Sequence, residues 1–540
     1  MKNIIFLYAG FVLNHAFDIL FSEKSAFERT LDWATKIEDS SSIFIACTPE
    51  TEISVKKVLE HYSCNKAVIV TLSGWNTSTL LKEMATRADS EHADYVVYSS
   101  ADKPFLDLKL TKEVIDCHTK YLAEYTFADG YPAGFSPEVI NSGTLNIMHS
   151  LSIGKSVAAG EATVSNDSLF NVLKGDINAF EIETVIAPKD YRMLRLDFSC
   201  SSKANSIACK KLFNEAVEKN IPFEAKPLSD IASESSAVQH TVPGFYNVQI
   251  AENCFSEAIY NPYVKVFAEK NGKKPLAEEN ESPKNMRLEQ FRCIVNDIAE
   301  FSETAVVDLS GFTDPLTHPE FADFVKAVLE KKGLSVLIET DGSFVSLVLA
   351  KKIAEISKEA GNRINGNPSV MWIVNVDAFT EQKYLEIHKK DGLKSAQEAV
   401  KILENFFPGC VYPQLLRMHT NENELESFYR FYHDKESPSK GNLIIQKYDH
   451  FCGLLSDEKP ADLTPIKRCP CWHIKRDMFI LPDGNVPLCR EYILDNFIGN
   501  VFADGIENIW KKSVSLVNEH IHGNYSEKCG ACDEYYTFNF

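Results

Sequence analysis

Short apolar runs recur through the first two hundred residues, at Ile4 to Tyr8, Ile43 to Ala46, Val68 to Leu72 and Tyr95 to Tyr98. Between them lie stretches in which apolar residues return every three or four positions. Continuous apolarity marks strands buried on both faces, and the helical period supplies the layers that cover them. The alternation predicts an α/β fold over 1–228 with a doubly wound parallel sheet. Ligand positions are then expected beyond the strand ends, at Ala9-Gly10 and at Ser99 to Pro104.

A polar, serine-rich run from Ser229 to Thr241, closed by Pro243-Gly244, reads as a linker over 229–242. A second strand series follows: Tyr246 to Ile250, Thr304 to Leu309, Leu334 to Glu339, Met371 to Val376 and Val411 to Leu416. Helical patterns at Arg287 to Phe301 and Pro319 to Lys332 lie between these strands. The spacing predicts a partial (β/α) barrel over 243–453. Its strand ends carry Cys254, the stretch Ser310 to Pro315, Thr340 to Gly342, Asp377 and Arg417. Polar residues at such places ordinarily cap the next helix, which is the reading given to Asp102, Asp377, Arg417 and His318. His15 and Cys47 read as core or rim residues.

The pattern changes again over 454–540. Five of the fourteen cysteines sit there, as Cys469-Pro-Cys471, Cys489 and Cys529-Gly-Ala-Cys532. Met478 to Leu481, Pro482-Asp-Gly-Asn485 and Val486 to Cys489 read as strand, turn and strand, a hairpin that brings Cys471 towards Cys489. A helix with Trp510 and Val514 on one face would then deliver the last pair. Two thiolates from a tight turn and two from a hairpin make a tetrahedral sulfur site suited to zinc or to an iron–sulfur cluster, and spacing does not choose between them.

Length and charge narrow the function classes. At 540 residues the chain exceeds a single core and suits about three domains. A net charge of -20 argues against a nucleic-acid partner, because such binding rests on clustered Lys and Arg. No apolar run reaches the roughly twenty residues of a membrane helix. Lys2 and the run at Ile4 lack a following cleavage site, and His15, Asp18 and Glu23 arrive early. The expected place is the cytoplasm, with reduced thiols and no membrane partner.

Cys471, Gly484, Cys489 and the pair Cys529-x-x-Cys532 resemble the opening of the SPASM domain, the auxiliary-cluster domain of many radical-SAM enzymes. Only Asp533 to Phe540 follow, so the tail is similar to the shorter, single-cluster twitch form. The resemblance implies one 4Fe-4S cluster held by Cys471, Cys489, Cys529 and Cys532, with Cys469 as an alternative ligand and zinc as an alternative metal.

Ser310-Gly-Phe-Thr-Asp-Pro-Leu-Thr-His-Pro319 is similar to the radical-SAM Gly-Glu-Pro-Leu motif, Thr340-Asp-Gly342 to its Thr-Asn-Gly, and Val374-Asn-Val-Asp377 to its later Asp-bearing strand. The family's Cys-x-x-x-Cys-x-x-Cys, however, falls on Cys254, Ala258 and Asn261. Two of three thiolates are absent, so binding and cleavage of S-adenosylmethionine are not expected.

The first third resembles nucleotidyltransferases, with Asp102 of Asp-Lys-Pro104 and Asp197 at the positions of the magnesium-holding acids. In place of a Gly-rich phosphate loop it has Gly10 to His15, with Lys24 the first base in reach. The combination resembles the spiro-SPASM proteins, a group defined by architecture, which implies no particular reaction. The expectation is an iron–sulfur protein whose status as an enzyme is open and whose substrate would be a small molecule or a peptide. The alternatives are a zinc-stapled scaffold, a radical-SAM enzyme with unusual cluster ligands, and a nucleotidyltransferase working through its first domain.

Overall fold

The computed structural model describes the whole chain except residues 11–13, 63, 65, 155–163, 253–255, 263–264, 266–284, 493–495 and 538–540. Cys254 therefore lies outside the described residues. The chain forms two compact units, Met1–Thr241 and Val242–Phe540.

In the first unit seven strands form one sheet in the order Ala67–Thr71, Ser40–Cys47, Asn3–Ala9, Tyr95–Ser100, Glu138–Asn141, Tyr125–Asp129, Ile182–Ile186. All seven residues of Asn3–Ala9 are buried. Ile5 and Leu7 enter one core and Ile4 and Phe6 the other, so helices cover both faces. The sheet is mixed, not wholly parallel as predicted, because Glu138–Asn141 runs antiparallel to both its neighbours. The stretch read as a linker carries the helices Ala225–Glu234 and Ser236–Gln239, and Ser229 is buried with its hydroxyl on the Ala225 carbonyl. Serine is an interior helix residue here because that back-bond satisfies it.

The second unit is built on seven parallel strands that form an open half-barrel. Their order is Ile444–Lys447, Val411–Arg417, Val370–Asn375, Leu334–Thr340, Ala305–Asp308, Phe245–Val248, Asp477–Ile480. Alternate residues point to opposite faces of a strand. Tyr246, Val307, Val336, Trp372 and Val374 pack outward against helices such as Leu288–Phe301 and Phe321–Leu329. Phe245, Val306, Leu337, Met371 and Ile373 form an inner apolar layer. One inward step further along the strands come Asn247, Asp308, Glu339, Asn375 and Gln414.

The expected tail hairpin does not form as a ladder. Asp477–Ile480 joins the half-barrel beside Phe245–Val248, and Asn485–Pro487 pairs antiparallel with Phe497–Asn500. The Asp-Gly turn itself is present, with Gly484 in the left-handed region and bonds between Leu481 and Asn485. The first arm goes elsewhere because the Phe245–Val248 edge offers a full row of backbone partners and buries Met478, Phe479 and Ile480. The tail is thus part of the second compact unit. Its last helical stretch is broken into Val501–Asp504, Ile506–Lys512, Val514–Ile521 and Glu527–Ala531. Trp510 is in the main core of the unit, while Val514 is only half-buried.

Candidate metal centre

A cavity of about 400 Å³ lies between the inner face of the half-barrel and the tail. Cys471, Cys489, Cys529 and Cys532 all line it. Cys471 precedes the short helix His473–Arg476, and backbone N–H groups of His473 and Ile474 bond its sulfur. Cys489 ends the segment after Asn485–Pro487 and takes a backbone bond from Glu491. Cys529 lies in Glu527–Ala531, whose first turn is capped by Ser526, and the Tyr492 hydroxyl is 3.8 Å from its sulfur. The Glu534 N–H donates to the Cys532 sulfur at 3.3 Å. N–H groups aimed at sulfur favour the thiolate, which is the form that ligates a metal.

Arg468 fixes the Cys529-Gly-Ala-Cys532 turn. Its guanidinium donates to the carbonyls of Cys529, of Gly530 at 3.3 Å and of Cys532 at 3.1 Å, and lies over the rings of Tyr525 and Tyr535. Three carbonyls drawn to one side leave the two side chains to the other. Cys469 does not line the cavity; its charge neighbours are Tyr525 and Tyr535.

A fifth thiol, absent from the sequence argument, faces the same space. Cys452 lines the cavity, and its sulfur, that of Cys532 and a Glu491 carboxylate oxygen lie within 4.8 Å of one another. Cys452 is held in the left-handed region at φ 53°, directly after Phe451 at 51°. No spacing rule points to it, since it stands seventeen residues before Cys469.

Burial pushes the Cys471 thiol up to about 12 and raises Cys489 well above the ordinary thiol range. Cys532 is raised by its hydrogen bond with Cys452 and then by burial. Thiols facing one shielded space repel as anions unless a cation joins them: Cys532 and Cys529 act in this way on Cys471, and Cys471 and Cys532 on Cys489. The donor set of soft sulfurs around one cavity fits an iron–sulfur cluster or zinc. His520, 2% exposed, accepts the Cys471 N–H at Nδ1, while its Nε2 has no partner.

The residues predicted at the barrel mouth are arranged differently. Asp314 caps Pro315–Thr317 through Leu316 N–H and receives the Thr340 hydroxyl at 2.6 Å; burial and the Asp341 charge raise it to about 7. His318 is held between the Met286 carbonyl and the Glu320 N–H. Asp377, fully buried, accepts from Leu416 N–H and the Tyr260 hydroxyl, with His388 Nε2 at 3.1 Å. Arg417 makes a two-pronged pair with Glu422. Ala258 is buried, and Asn261 donates to the Phe312 carbonyl. A second, smaller cavity of about 90 Å³ lies here, lined by Ser310, Asp314, Thr340 and Asn261 among others.

In the first unit Asp102 is not a helix cap, contrary to expectation. Asp107 caps Leu108–Tyr121, while Asp102 takes the Ser100 hydroxyl at 2.6 Å. Asp197 accepts from Ser199 and Asn205. Burial raises both, and the Asp102 charge raises Asp197 further, so the two acids are neighbours. Gly10 is covered by Trp75 and Tyr8, whose ring atoms a Cβ would meet at 2.6 and 2.7 Å, and Lys24 is paired with Asp32. Cys47 is core, and His15 lies 3.5 Å from Asp18.

Residues 469–533 match the SPASM family, an iron–sulfur cluster-binding domain. An uncharacterized protein of Treponema pallidum is 36% identical over 379 residues, which cover 69% of this chain and 98% of that protein. Among solved structures, a cytidylyltransferase from Leptospira borgpetersenii aligns with 44% of this chain and 96% of its own at 12% identity and a TM-score of 0.36. Streptococcus suis SuiB bound to its precursor peptide SuiA aligns with 62% of this chain and 75% of its own, at 10% identity and a TM-score of 0.40. No described helix is long and apolar enough to cross a membrane.

Proposed function

The chain belongs to the family of that Treponema pallidum protein, and we propose that its tail holds one 4Fe-4S cluster on Cys471, Cys489, Cys529 and Cys532. The observation that carries this reading is the four sulfurs on one cavity, three of them already receiving backbone N–H bonds. The SPASM match over 469–533 supports iron over zinc. Cys469 is a neighbour of the site, and Cys452 a spare thiol beside Cys532.

In this reading the half-barrel does not carry a second cluster or cleave S-adenosylmethionine. Ala258 and Asn261 offer no thiolate, and Asp314, Asp377 and Arg417 are held by protein partners. With a thiolate on each iron, the cluster would supply electron transfer beside the cavity, and the residues around it would hold a small molecule or a peptide end. The first unit is read as a former transferase: Trp75 and Tyr8 stand on Gly10, and Lys24 is engaged.

Anaerobic purification tests the metal. The expected product is brown, with iron and acid-labile sulfide at about four per chain. Stoichiometric zinc with no iron would replace this reading with the zinc-stapled scaffold. Incubation with S-adenosylmethionine and reductant should give no 5'-deoxyadenosine, and a nucleoside triphosphate with magnesium should give no pyrophosphate.

A further inference from the structure

We infer that Cys452 tunes the tail cluster: its S–H donates to the sulfur of Cys532 and raises the reduction potential of the metal centre without ligating it. This role rests on the four-cysteine cluster and assigns a task to the fifth thiol beside it. The two sulfurs and a Glu491 carboxylate oxygen lie within 4.8 Å of one another, and the two thiols are hydrogen-bonded to each other. Once Cys532 ligates iron it is a thiolate and has no proton to give. The proton of the pair is then on Cys452, which becomes the donor. Glu491 is itself bonded to Asp449.

The fold goes to some length to bring Cys452 there. Phe451, Cys452 and Gly453 are successive residues in the left-handed region, at φ 51°, 53° and 90°. Glycine enters that region freely, whereas the Cβ of Phe451 and of Cys452 disfavours it. Partners hold the turn in place. The Asp449 carboxylate accepts the Phe451 N–H at 2.7 Å, and the buried Phe451 ring lies 5.9 Å from that of Phe312. The turn also packs on Glu527–Ala531, the helix that carries Cys529. Strained backbone that its surroundings keep in place is a pointer to function. Phe312, Phe451, Leu455 and Phe479 belong to one buried apolar cluster here. In such low-dielectric surroundings even a weak S–H donor has electrostatic weight.

The sign follows from charge. Reduction adds negative charge that the ligating sulfurs share, so a donor to one of them favours the reduced cluster and raises its potential. Cys532 receives two donors, the Glu534 N–H at 3.3 Å and the Cys452 thiol. The first belongs to the main chain, and the second can be removed by substitution.

Redox titration of the anaerobically purified full chain, read from the visible absorption of the cluster, compares the unaltered protein with Cys452→Ala and Cys452→Ser. Alanine removes the donor and should shift the reduction equilibrium at least threefold towards the oxidised cluster, a lowering of about 28 mV at 59 mV per tenfold. Serine keeps a donor of similar reach and should undo at least half of that shift. Iron content should be the same in all three. A shift below threefold in Cys452→Ala, an upward shift, or a serine variant that undoes less than half of it would overturn this role and leave the cluster standing. Iron lost from Cys452→Ala would overturn it as well, because Cys452 would then be a ligand. A chain that holds zinc and no iron would overturn it together with the cluster reading, and metal analysis separates that case from the others.

Discussion

At the mouth of the half-barrel, Asp314, His318, Asp377 and Arg417 are each consumed by protein partners. Across the large cavity, Cys471, Cys489, Cys529 and Cys532 have backbone N–H groups, a tyrosine hydroxyl and one another. Both places carry residues that resemble the stations of one enzyme family, so the difference lies in what the fold has done with them. Polar side chains whose bonds are all closed internally maintain a shape. Side chains converging on a space with their bonds open are available to a ligand.

Removing the metal gives the largest contrast between the two places. A small thiol-held unit draws about 10 kcal/mol or more of its folding free energy from a structural metal. Chelation should therefore abolish hydrogen-exchange protection over 514–537 and spare the strands 305–308 and 334–340, together with 501–512, which packs in the main core. Equal loss in both would show that the tail and the barrel do not differ in this way.

Arg468→Ala sharpens the same contrast, because it frees three carbonyls of the thiol-bearing turn at once. With bonds to a charged donor worth about 1.5 to 3 kcal/mol each and partial rehydration, a net loss of about 3 kcal/mol is expected in the urea unfolding of the second unit. A change under about 0.5 kcal/mol would mean that the turn holds itself.

The mouth has its own signature in pH. Asp308 and Asp314 have folded values raised to about 7, whereas the unfolded chain titrates near 4. The folded state then binds more protons than the unfolded one between those limits. Stability contributed by these groups is present below about pH 4 and falls as pH rises to about 7, with no further loss above. Asp314→Asn should flatten that slope, as read from urea midpoints at several pH values; an unchanged slope would remove Asp314 from the account.

Cys452→Ala should have the smallest effect, about 1 kcal/mol or less, and leave the iron content as it was. A loss of iron comparable to that of Cys532→Ala would promote Cys452 from spare thiol to ligand.

Much of this was legible from the residues. The four thiols share one cavity, the predicted strands at Ile4, Ile43, Tyr95, Leu334 and Val411 lie inside observed ones, and the one at Met371 overruns its strand by a residue. Burial on both faces makes such runs continuous, which is the signal that was read. The tail hairpin was misread because a local turn signal cannot show that the Phe245–Val248 edge lies ready for Asp477–Ile480. Ile444–Lys447 was missed because two isoleucines are too short a run. Cys452 was invisible because a left-handed turn, not a motif, brings it to Cys532. The polar layer did leave a trace: Asn247, Asp308, Glu339, Asn375 and Gln414 each interrupt an apolar strand at one level. Reading strands for their core passed over it.

The central claim is that the only cluster of this chain is in its tail. Mössbauer quantitation of reconstituted protein, unaltered and as Cys529→Ala/Cys532→Ala, tests it most directly. The account predicts about four irons per chain in the first and less than about one in the second. About eight in the first, or about four remaining in the second, would place a cluster elsewhere and contradict it.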